Sequence, residues 1–137
     1  MRILLIEDEK MLVAALREEF QRRKCTILTA ADGEEGWRIL SAYPVIDVIV
    51  LDLVLPKMDG FELLKKIKAD KKLKIIPLVV LTNLSDDTTI SAIVAAGGRD
   101  YLVKADYTLH EVAAKVLDIA KRSVFQKPKE PQSPIML

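Results

Sequence analysis

Acidic, hydroxyl and amino side chains come directly after four short apolar runs of this chain. Glu7 and Asp8 follow the first run, Asp52 the second, Thr82 the third and Lys104 the fourth. The four runs are Ile3–Ile6, Val48–Leu51, Leu78–Leu81 and Tyr101–Val103. Such runs are typical of β-strands, and the carboxyl ends of parallel strands meet at one edge of a sheet, where ligands bind. The sequence therefore predicts one site that combines three carboxylates, a hydroxyl and an ammonium.

These groups suit a divalent cation and a phosphoryl group. Two carboxylates ~4 Å apart repel by about 4 kcal/mol at an effective dielectric of 20, so a fold that gathers them needs a compensating charge. Mg²⁺ prefers oxygen ligands, and once it neutralises the acids an oxygen of Asp52 can attack phosphorus to form an acyl phosphate. Lys104 can pair with the phosphate and Thr82 can donate to it. Each residue alone has an ordinary explanation, such as an acid that caps a turn, but the combination is far more specific.

The elements that would position these residues alternate between strands and helices. A further strand is predicted over Thr26–Ala30, which makes it the second in chain order. The third strand is then Val48–Leu51, whose continuous Val/Ile/Leu run is typical of a strand buried on both faces. Helix starts are predicted at four polar residues that can accept a backbone N–H: Asp32, Asp59, Ser85 and Thr108. Gly97-Gly98 ends the fourth helix, and the fifth extends to about Val124. The pattern predicts an α/β fold, a doubly wound, flavodoxin-like parallel sheet with strand order 2-1-3-4-5.

Composition narrows the class of protein. A chain of 137 residues fits one domain, predicted over 1–125, and 126–137 is predicted to be a flexible tail or the start of a linker. A formal net charge of +1 does not favour direct binding of nucleic acid or of an anionic membrane. Cys25, the one cysteine, allows no intrachain disulfide, and no apolar run is long enough to span a membrane, so we expect a cytoplasmic protein.

The motifs around the strand ends resemble the receiver domain of two-component response regulators, similar to the single-domain chemotaxis regulators. The resemblance covers Arg2 to about Arg122 and rests on four blocks: Leu4–Glu9, Leu51–Gly60, Leu81–Asn83 and Asp100–Lys104. It implies that Asp52 accepts a phosphoryl group from a histidine kinase or phosphotransfer protein. It also implies that Glu7, Asp8, Asp52 and the backbone carbonyl of Val54 bind Mg²⁺.

The resemblance implies further roles on the other strands. Thr82 and Lys104 would hold the phosphoryl group, and Tyr101 would be the switch aromatic whose rotamer couples to Thr82. The face made by helix 4, strand 5 and helix 5 would bind a downstream protein partner or a second copy of the chain. Val54 and Leu84, two places after the acceptor and after the threonine, would tune dephosphorylation. Such a protein is a signalling switch rather than an enzyme, beyond its own phosphorylation and dephosphorylation.

One residue departs from the family pattern. The family usually has Lys-Pro with a cis bond where this chain has Lys104-Ala105. A cis bond before a residue other than proline costs roughly 3 to 4 kcal/mol, so we predict a trans bond here.

Two other functions are compatible with parts of this pattern. A haloacid-dehalogenase-like phosphatase also uses a strand-end aspartate, but it needs a second Asp at the position that Val54 occupies. The chain could also be a receiver fragment of a longer regulator with a separate output domain. His110, in the first turn of the last helix, and Trp37 are interpreted as structural residues.

Overall fold

The computed structural model describes residues 1–42 and 45–129, and within them five strands alternate with five helices. The strands are β1 (Arg2–Ile6), β2 (Thr26–Ala30), β3 (Val48–Leu51), β4 (Leu78–Thr82) and β5 (Asp100–Val103). The helices are α1 (Lys10–Arg22), α2 (Gly33–Ala42), α3 (Gly60–Ala69), α4 (Asp87–Ala95) and α5 (Leu109–Lys129). Short 3₁₀ turns lie at Leu73–Ile75 and Lys104–Asp106.

The five strands form one parallel sheet in the order β2-β1-β3-β4-β5, which confirms the predicted fold class and strand order. β3 lies at the centre, paired with β1 through Ile6↔Leu51 and with β4 through Leu51↔Val80. All four residues of β3 are buried, as its uninterrupted apolar run predicted. Within the described residues β2 and β5 are the two edge strands.

Alternate residues of β3 contribute to hydrophobic clusters on opposite faces of the sheet. Ile49 and Leu51 join the cluster that includes residues of α2, α3 and α4, whereas Val48 and Val50 join the cluster with residues of α1 and α5. This division follows from the two-residue period of a strand, which sends neighbouring side chains to opposite faces. The sheet is therefore packed against helices on both faces, and this packing fixes the position of its carboxyl edge.

Three of the four predicted helix starts are confirmed. Asp32 accepts the N–H of Glu35 at 2.8 Å and Asp59 accepts the N–H of Glu62 at 2.9 Å. At α5 the reciprocal capping box forms, with Thr108 Oγ1 accepting the Glu111 N–H at 3.1 Å and the Glu111 carboxylate accepting the Thr108 N–H at 2.8 Å. These local hydrogen bonds satisfy N–H groups that have no partner inside the helix.

The prediction that Ser85 caps α4 is wrong, since the cap is the next residue, Asp86. Its carboxylate accepts both the backbone N–H of Thr89 at 3.3 Å and the Thr89 hydroxyl at 2.6 Å. A carboxylate with two acceptor oxygens can take both donors at once, which a serine hydroxyl cannot do as well. The helix ends as predicted, and Gly97 adopts the positive φ of +96° that glycine tolerates.

The last helix is longer than its apolar pattern predicted. It was expected to end at about Val124, and α5 extends to Lys129. Residues 130–137 lie outside the described part of the chain. The boundary between domain and tail at residue 125 therefore stays a prediction. No helix in the described part of the chain has the length and hydropathy needed to cross a membrane.

Candidate functional site

The carboxyl ends of four strands bring the predicted site residues to one edge of the sheet. The register pairs Ile6 with Leu51, so Glu7 and Asp52 leave β1 and β3 at the same height. The backbone N–H of Asp52 donates to the Ile6 carbonyl at 3.0 Å, which continues the ladder into the site itself. Thr82 ends β4 and pairs with Val103, the residue before Lys104. Parallel pairing therefore positions these residues.

Gly60, at the start of α3, lets the helix approach the turn that carries Asp52. A side-chain carbon at Gly60 would lie 2.2 Å from the Asp52 carbonyl oxygen and 2.4 Å from the Leu53 Cα, both backbone atoms that cannot move aside cheaply. The Gly60 N–H donates to the Leu53 carbonyl at 2.9 Å. The sequence pattern marked Gly60 only as part of a helix start, and its role in close packing was missed.

Glu7, Asp8 and Asp52 form a compact acidic cluster. Each offers a carboxylate oxygen, and the three oxygens lie within 4.8 Å of one another. Glu7 is 2% exposed and Asp52 is 6% exposed, whereas Asp8 is exposed. Buried carboxylates this close repel strongly unless a cation offsets their charge. The predicted convergence of the three acids is therefore confirmed in geometry.

Lys104 supplies one such cation. Its Nζ lies 2.7 Å from Glu7 Oε1 and 3.2 Å from Asp52 Oδ2, and the side chain is 16% exposed. Apart from the Lys104 ammonium, this buried Oε1 has no hydrogen-bond partner among the described residues. The other Glu7 oxygen accepts the N–H of Glu9 at 3.1 Å. One ammonium thus spans two carboxylates without satisfying all of their oxygens.

Titration of these groups reflects the conflict between burial and charge. Burial raises the pKa of Glu7 above its ordinary value, and the nearby Asp52 charge acts in the same direction, against the attraction of Lys104 and the Glu9 N–H. Burial would lower the pKa of Lys104, but contacts with Glu7 and Asp52 outweigh it, so the pKa of this ammonium is raised. Lys104 therefore stays charged at neutral pH while Glu7 carries a penalty for ionisation.

The donor set fits a divalent cation that prefers oxygen. Glu7 and Asp52 provide buried carboxylate oxygens, Asp8 provides an exposed one, and Glu7 Oε1 has no partner besides the Lys104 ammonium among the described residues. Mg²⁺ uses one or two carboxylates and completes its shell with water and phosphate oxygens, which a partly open cluster allows. Val54 lies in the turn after Asp52, and its N–H donates to Asp52 Oδ1 at 3.4 Å. The role predicted for its carbonyl stays a prediction.

Thr82 and Tyr101 lie on the neighbouring strands β4 and β5. Thr82 is buried, and its Oγ1 accepts the N–H of Leu84 at 3.3 Å in a short turn. Tyr101 lies on β5 and is partly exposed. Among the described residues no hydrogen bond or ion pair joins either side chain to the acidic cluster. Their roles toward a phosphoryl group stay predictions.

Val54 and Leu84 are apolar and exposed, at 61% and 37% respectively. Their positions, two residues after Asp52 and two after Thr82, follow from the sequence, and their exposure shows that neither belongs to the core.

Trp37 and His110, the two residues interpreted as structural, lie away from the acidic cluster. Trp37 packs against the cluster with α2 and α3, under the Lys66 ammonium at 4.4 Å, and His110 lies on the exposed start of α5 beside Arg23.

The Lys104–Ala105 peptide bond is trans, as predicted. Lys104 nevertheless reaches the acidic cluster, so the departure from the Lys-Pro pattern does not aim it away. The Ala105 N–H, which a proline would lack, donates to the side-chain oxygen of Asn83 at 3.0 Å. Asn83 was missed as a site residue, although a polar residue directly after the strand-end Thr82 is a signal that could have found it.

A five-stranded parallel sheet in this order, with an acidic cluster and a lysine at its carboxyl edge, defines the class of phosphorylation-signalling receiver domains. The family model for the response regulator receiver domain matches residues 3–128, and the chain belongs to this family. Receiver domains act in two-component signalling, pair with histidine kinases and bind Mg²⁺, and the family is typically a signalling one rather than an enzymatic one.

Individual relatives are similar over most of this chain. The transcriptional regulatory protein AfsQ1 of Streptomyces coelicolor is 35% identical over 125 residues, or 91% of this chain and 51% of AfsQ1. The chain thus spans about half the length of the curated relatives it matches. The structure of the phosphorylated cyanobacterial phytochrome response regulator RcpA is 30% identical with a TM-score of 0.76, covering 90% of this chain and 93% of RcpA. The Mn²⁺-bound structure of the response regulator Rcp1 is 29% identical with a TM-score of 0.71, covering 89% of this chain and 88% of Rcp1.

Proposed function

We propose that this chain is a phosphorylation-controlled switch in which Asp52 accepts a phosphoryl group from a phosphohistidine of a partner kinase or phosphotransfer protein. The observation that carries the proposal is the acidic cluster, with three carboxylate oxygens within 4.8 Å and the Lys104 ammonium 3.2 Å from Asp52. Two similar proteins support it, since one is described as phosphorylated and the other as bound to Mn²⁺.

In the proposed transfer an oxygen of the Asp52 carboxylate attacks phosphorus and forms a new P–O bond. The P–N bond to the donor imidazole breaks, its electron pair stays on nitrogen, and that nitrogen takes a proton from water. Glu7, Asp8 and Asp52 would hold Mg²⁺, with the Val54 carbonyl as a further ligand. When bound, Mg²⁺ would offset the charge of the phosphoryl oxygens and of the acids.

Lys104 would register the new charge. In the unphosphorylated chain its ammonium lies between Glu7 Oε1 and Asp52 Oδ2. Phosphorylation converts the Asp52 carboxylate into an acyl phosphate whose outer oxygens carry the negative charge, so the ammonium has a new partner farther from the core. Thr82 would donate its hydroxyl to another phosphoryl oxygen, at the expense of the turn in which it accepts from Leu84.

The output of the switch would be binding through the face of α4, β5 and α5, to a downstream protein or to a second copy. Tyr101 on β5 and Val94 on α4 are exposed there, and Tyr101 lies two residues from Val103, which pairs with Thr82. Tyr101→Ala should leave phosphoryl uptake unchanged and reduce association of the phosphorylated form, measured by light scattering with and without phosphodonor. Association unaffected by substitutions on this face would assign the output elsewhere.

Because one cysteine permits no intrachain disulfide, we also propose that the switch acts in the reducing cytoplasm.

The acceptor is tested by intact mass after incubation with acetyl phosphate and Mg²⁺. The parent should gain one phosphoryl group and Asp52→Asn none, because the amide cannot form the acyl phosphate. Asp106→Asn is the matched control, an exposed acid in the turn after β5 at the same edge of the sheet, and should gain one group like the parent. Uptake that survives Asp52→Asn, or a parent that takes up nothing, would overturn the proposal.

A further inference from the structure

A side-chain hydrogen bond joins the loops that follow β4 and β5. Asn83 Oδ1 accepts the backbone N–H of Ala105 at 3.0 Å, across 22 positions of the sequence. Asn83 directly follows Thr82, and Ala105 directly follows Lys104. The bond therefore ties together the neighbours of two residues proposed to hold the phosphoryl group.

This bond extends the sheet by one step beyond its backbone ladder. The last register pair of β4 and β5 is Thr82 with Val103, after which the chain enters the loop before α4 on one side and the 3₁₀ turn Lys104–Asp106 on the other. The backbones separate here, and the Asn83 side chain supplies the acceptor that the next residue of a strand would have supplied. Asn83 thus connects two segments that the sheet itself no longer holds.

The backbone of the turn Lys104–Asp106 has few other contacts to fix it. Ala105 and Asp106 are exposed, so burial contributes little to the order of the turn. The backbone bond within the turn, from the Tyr107 N–H to the Lys104 carbonyl, is long at 3.5 Å. Of these two hydrogen bonds to the backbone of the turn, the one from Ala105 to Asn83 is the shorter.

The bond exists because residue 105 is not proline. Proline would fix φ through its ring but would offer no N–H. Alanine leaves φ free, so the backbone loses more conformational freedom when the turn becomes ordered. An acceptor placed on the neighbouring strand end offsets this by holding the alanine N–H in one direction.

We propose that Asn83 is a positioning residue of the phosphoryl-transfer site, which fixes through the Ala105 N–H the turn from which Lys104 reaches Asp52. The inference rests on the proposed function. The Lys104 ammonium lies at the end of a flexible side chain, and its 3.2 Å contact with Asp52 Oδ2 depends on where the backbone of the turn holds its base. Asn83 acts on the reaction through Lys104.

The first experiment measures the rate of phosphoryl uptake from acetyl phosphate in the parent and in Asn83→Ala. Loss of one such hydrogen bond should lower the rate about two- to tenfold, from the usual net worth of a hydrogen bond. Mg²⁺ affinity should be unchanged, because none of the three acids is altered. Ser85→Ala, which removes an exposed hydroxyl from the same loop, should match the parent. An Asn83→Ala rate equal to the parent's would overturn the inference.

Two double-mutant cycles separate positioning from other effects. In a Lys104→Ala background, and again in an Ala105→Pro background, Asn83→Ala should cause no further loss of rate. The first background removes the group that Asn83 positions, and the second removes the N–H that it holds. The same fold loss in either background would mean that Asn83 acts directly on the phosphoryl group or on general folding, and would overturn the inference.

Hydrogen exchange of the Ala105 amide tests the bond without any phosphorylation. The amide should be protected in the parent and in Asp52→Asn, and should exchange faster in Asn83→Ala. Equal exchange in all three proteins would overturn the inference while leaving the proposed function intact. A parent with a protected amide that takes up no phosphoryl group would instead sink the proposed function.

Discussion

The two halves of the site are held in different ways. Glu7 and Asp52 directly follow the central strands β1 and β3 and are almost fully buried. Neither of these two strands contains an exposed residue. On the other side, the segments that follow Thr82 and begin at Lys104 are exposed at Asn83, Leu84, Ala105 and Asp106. The acids that would do the chemistry are thus fixed by the core, whereas the groups that would respond lie on segments that can rearrange at low cost. A receiver domain needs both properties at one edge of one sheet.

The largest contrast should appear in stability. Leu51→Ala removes a fully buried side chain directly beneath Asp52 and should cost about 2–5 kcal/mol, through lost burial and the cavity left behind. Leu84→Ala makes the same change on the responding half, where the side chain is exposed, and should cost roughly 0.5 kcal/mol or less. Urea unfolding of both variants measures the difference. Similar costs would mean that the two halves are equally packed.

The next contrast concerns the lifetime of the phosphorylated form. Val54 and Leu84 are apolar and cannot orient a water for attack on the acyl phosphate, so the parent should lose its phosphoryl group slowly for this family. Val54→Asn or Leu84→Glu should speed the loss about tenfold without abolishing uptake, which corresponds to about 1.4 kcal/mol in the barrier. Decay is followed after removal of the donor.

The control for that experiment is Ile75→Asn, the same kind of change at a position of similar exposure (58%) in the turn before β4. It should decay like the parent. If the parent decays faster than Val54→Asn and Leu84→Glu, the two apolar side chains do not slow the attack of water, even if Asp52 remains the acceptor.

Metal binding should act on the buried half. At tenfold over its dissociation constant Mg²⁺ should stabilise the folded chain by about 1.4 kcal/mol, seen as a rise in the melting temperature. Asp52→Asn should stabilise the metal-free protein, because it removes one of three mutually repelling charges, and should weaken the response to Mg²⁺. Sodium chloride at equal ionic strength controls for screening. A melting curve that Mg²⁺ leaves unchanged would contradict the site.

The smallest effect should be seen in pH dependence without metal. Burial raises the pKa of Glu7 above 4.5, so the folded chain binds this proton more tightly than the unfolded chain does. The contribution of Glu7 to stability is therefore fully present below 4.5 and is lost as pH rises through its raised pKa. Glu7→Gln, which stays neutral, should be more stable than the parent at pH 7, and the gap should shrink as pH falls toward 4.5.

Unfolding at several pH values in chelator measures this gap. With saturating Mg²⁺ the order should reverse, since Gln is a poorer ligand than an ionised carboxylate. A gap that does not vary with pH would mean that ionisation of Glu7 carries no penalty in the folded chain.

The sequence predicted the fold and the acidic half of the site well because both depend on short-range patterns. Continuous apolar runs indicated parallel strands, and parallel strands bring Glu7, Asp8 and Asp52 together whatever the details of packing. The caps at Asp32, Asp59 and Thr108 involve partners three residues away, which local spacing predicts.

Other features depend on the three-dimensional structure. Ser85 and Asp86 are adjacent residues that can both cap a helix, and which one does so is decided by where the loop meets α4. The bond from Ala105 to Asn83 joins residues far apart in sequence, and no spacing rule predicts it. The same holds for Gly60, whose need to be glycine appears only when the Asp52 carbonyl lies against it.

The position of β5 at the edge of the sheet bears on how the protein behaves in concentrated solution. Among residues 1–42 and 45–129 this strand pairs only with β4, so its outer backbone groups are open to a strand from another molecule. The strand is only four residues long, and it begins with a charged residue, Asp100. A short edge strand and a charge on it both discourage edge-to-edge addition. Asp100→Ala should therefore lower the concentration at which the chain remains monodisperse.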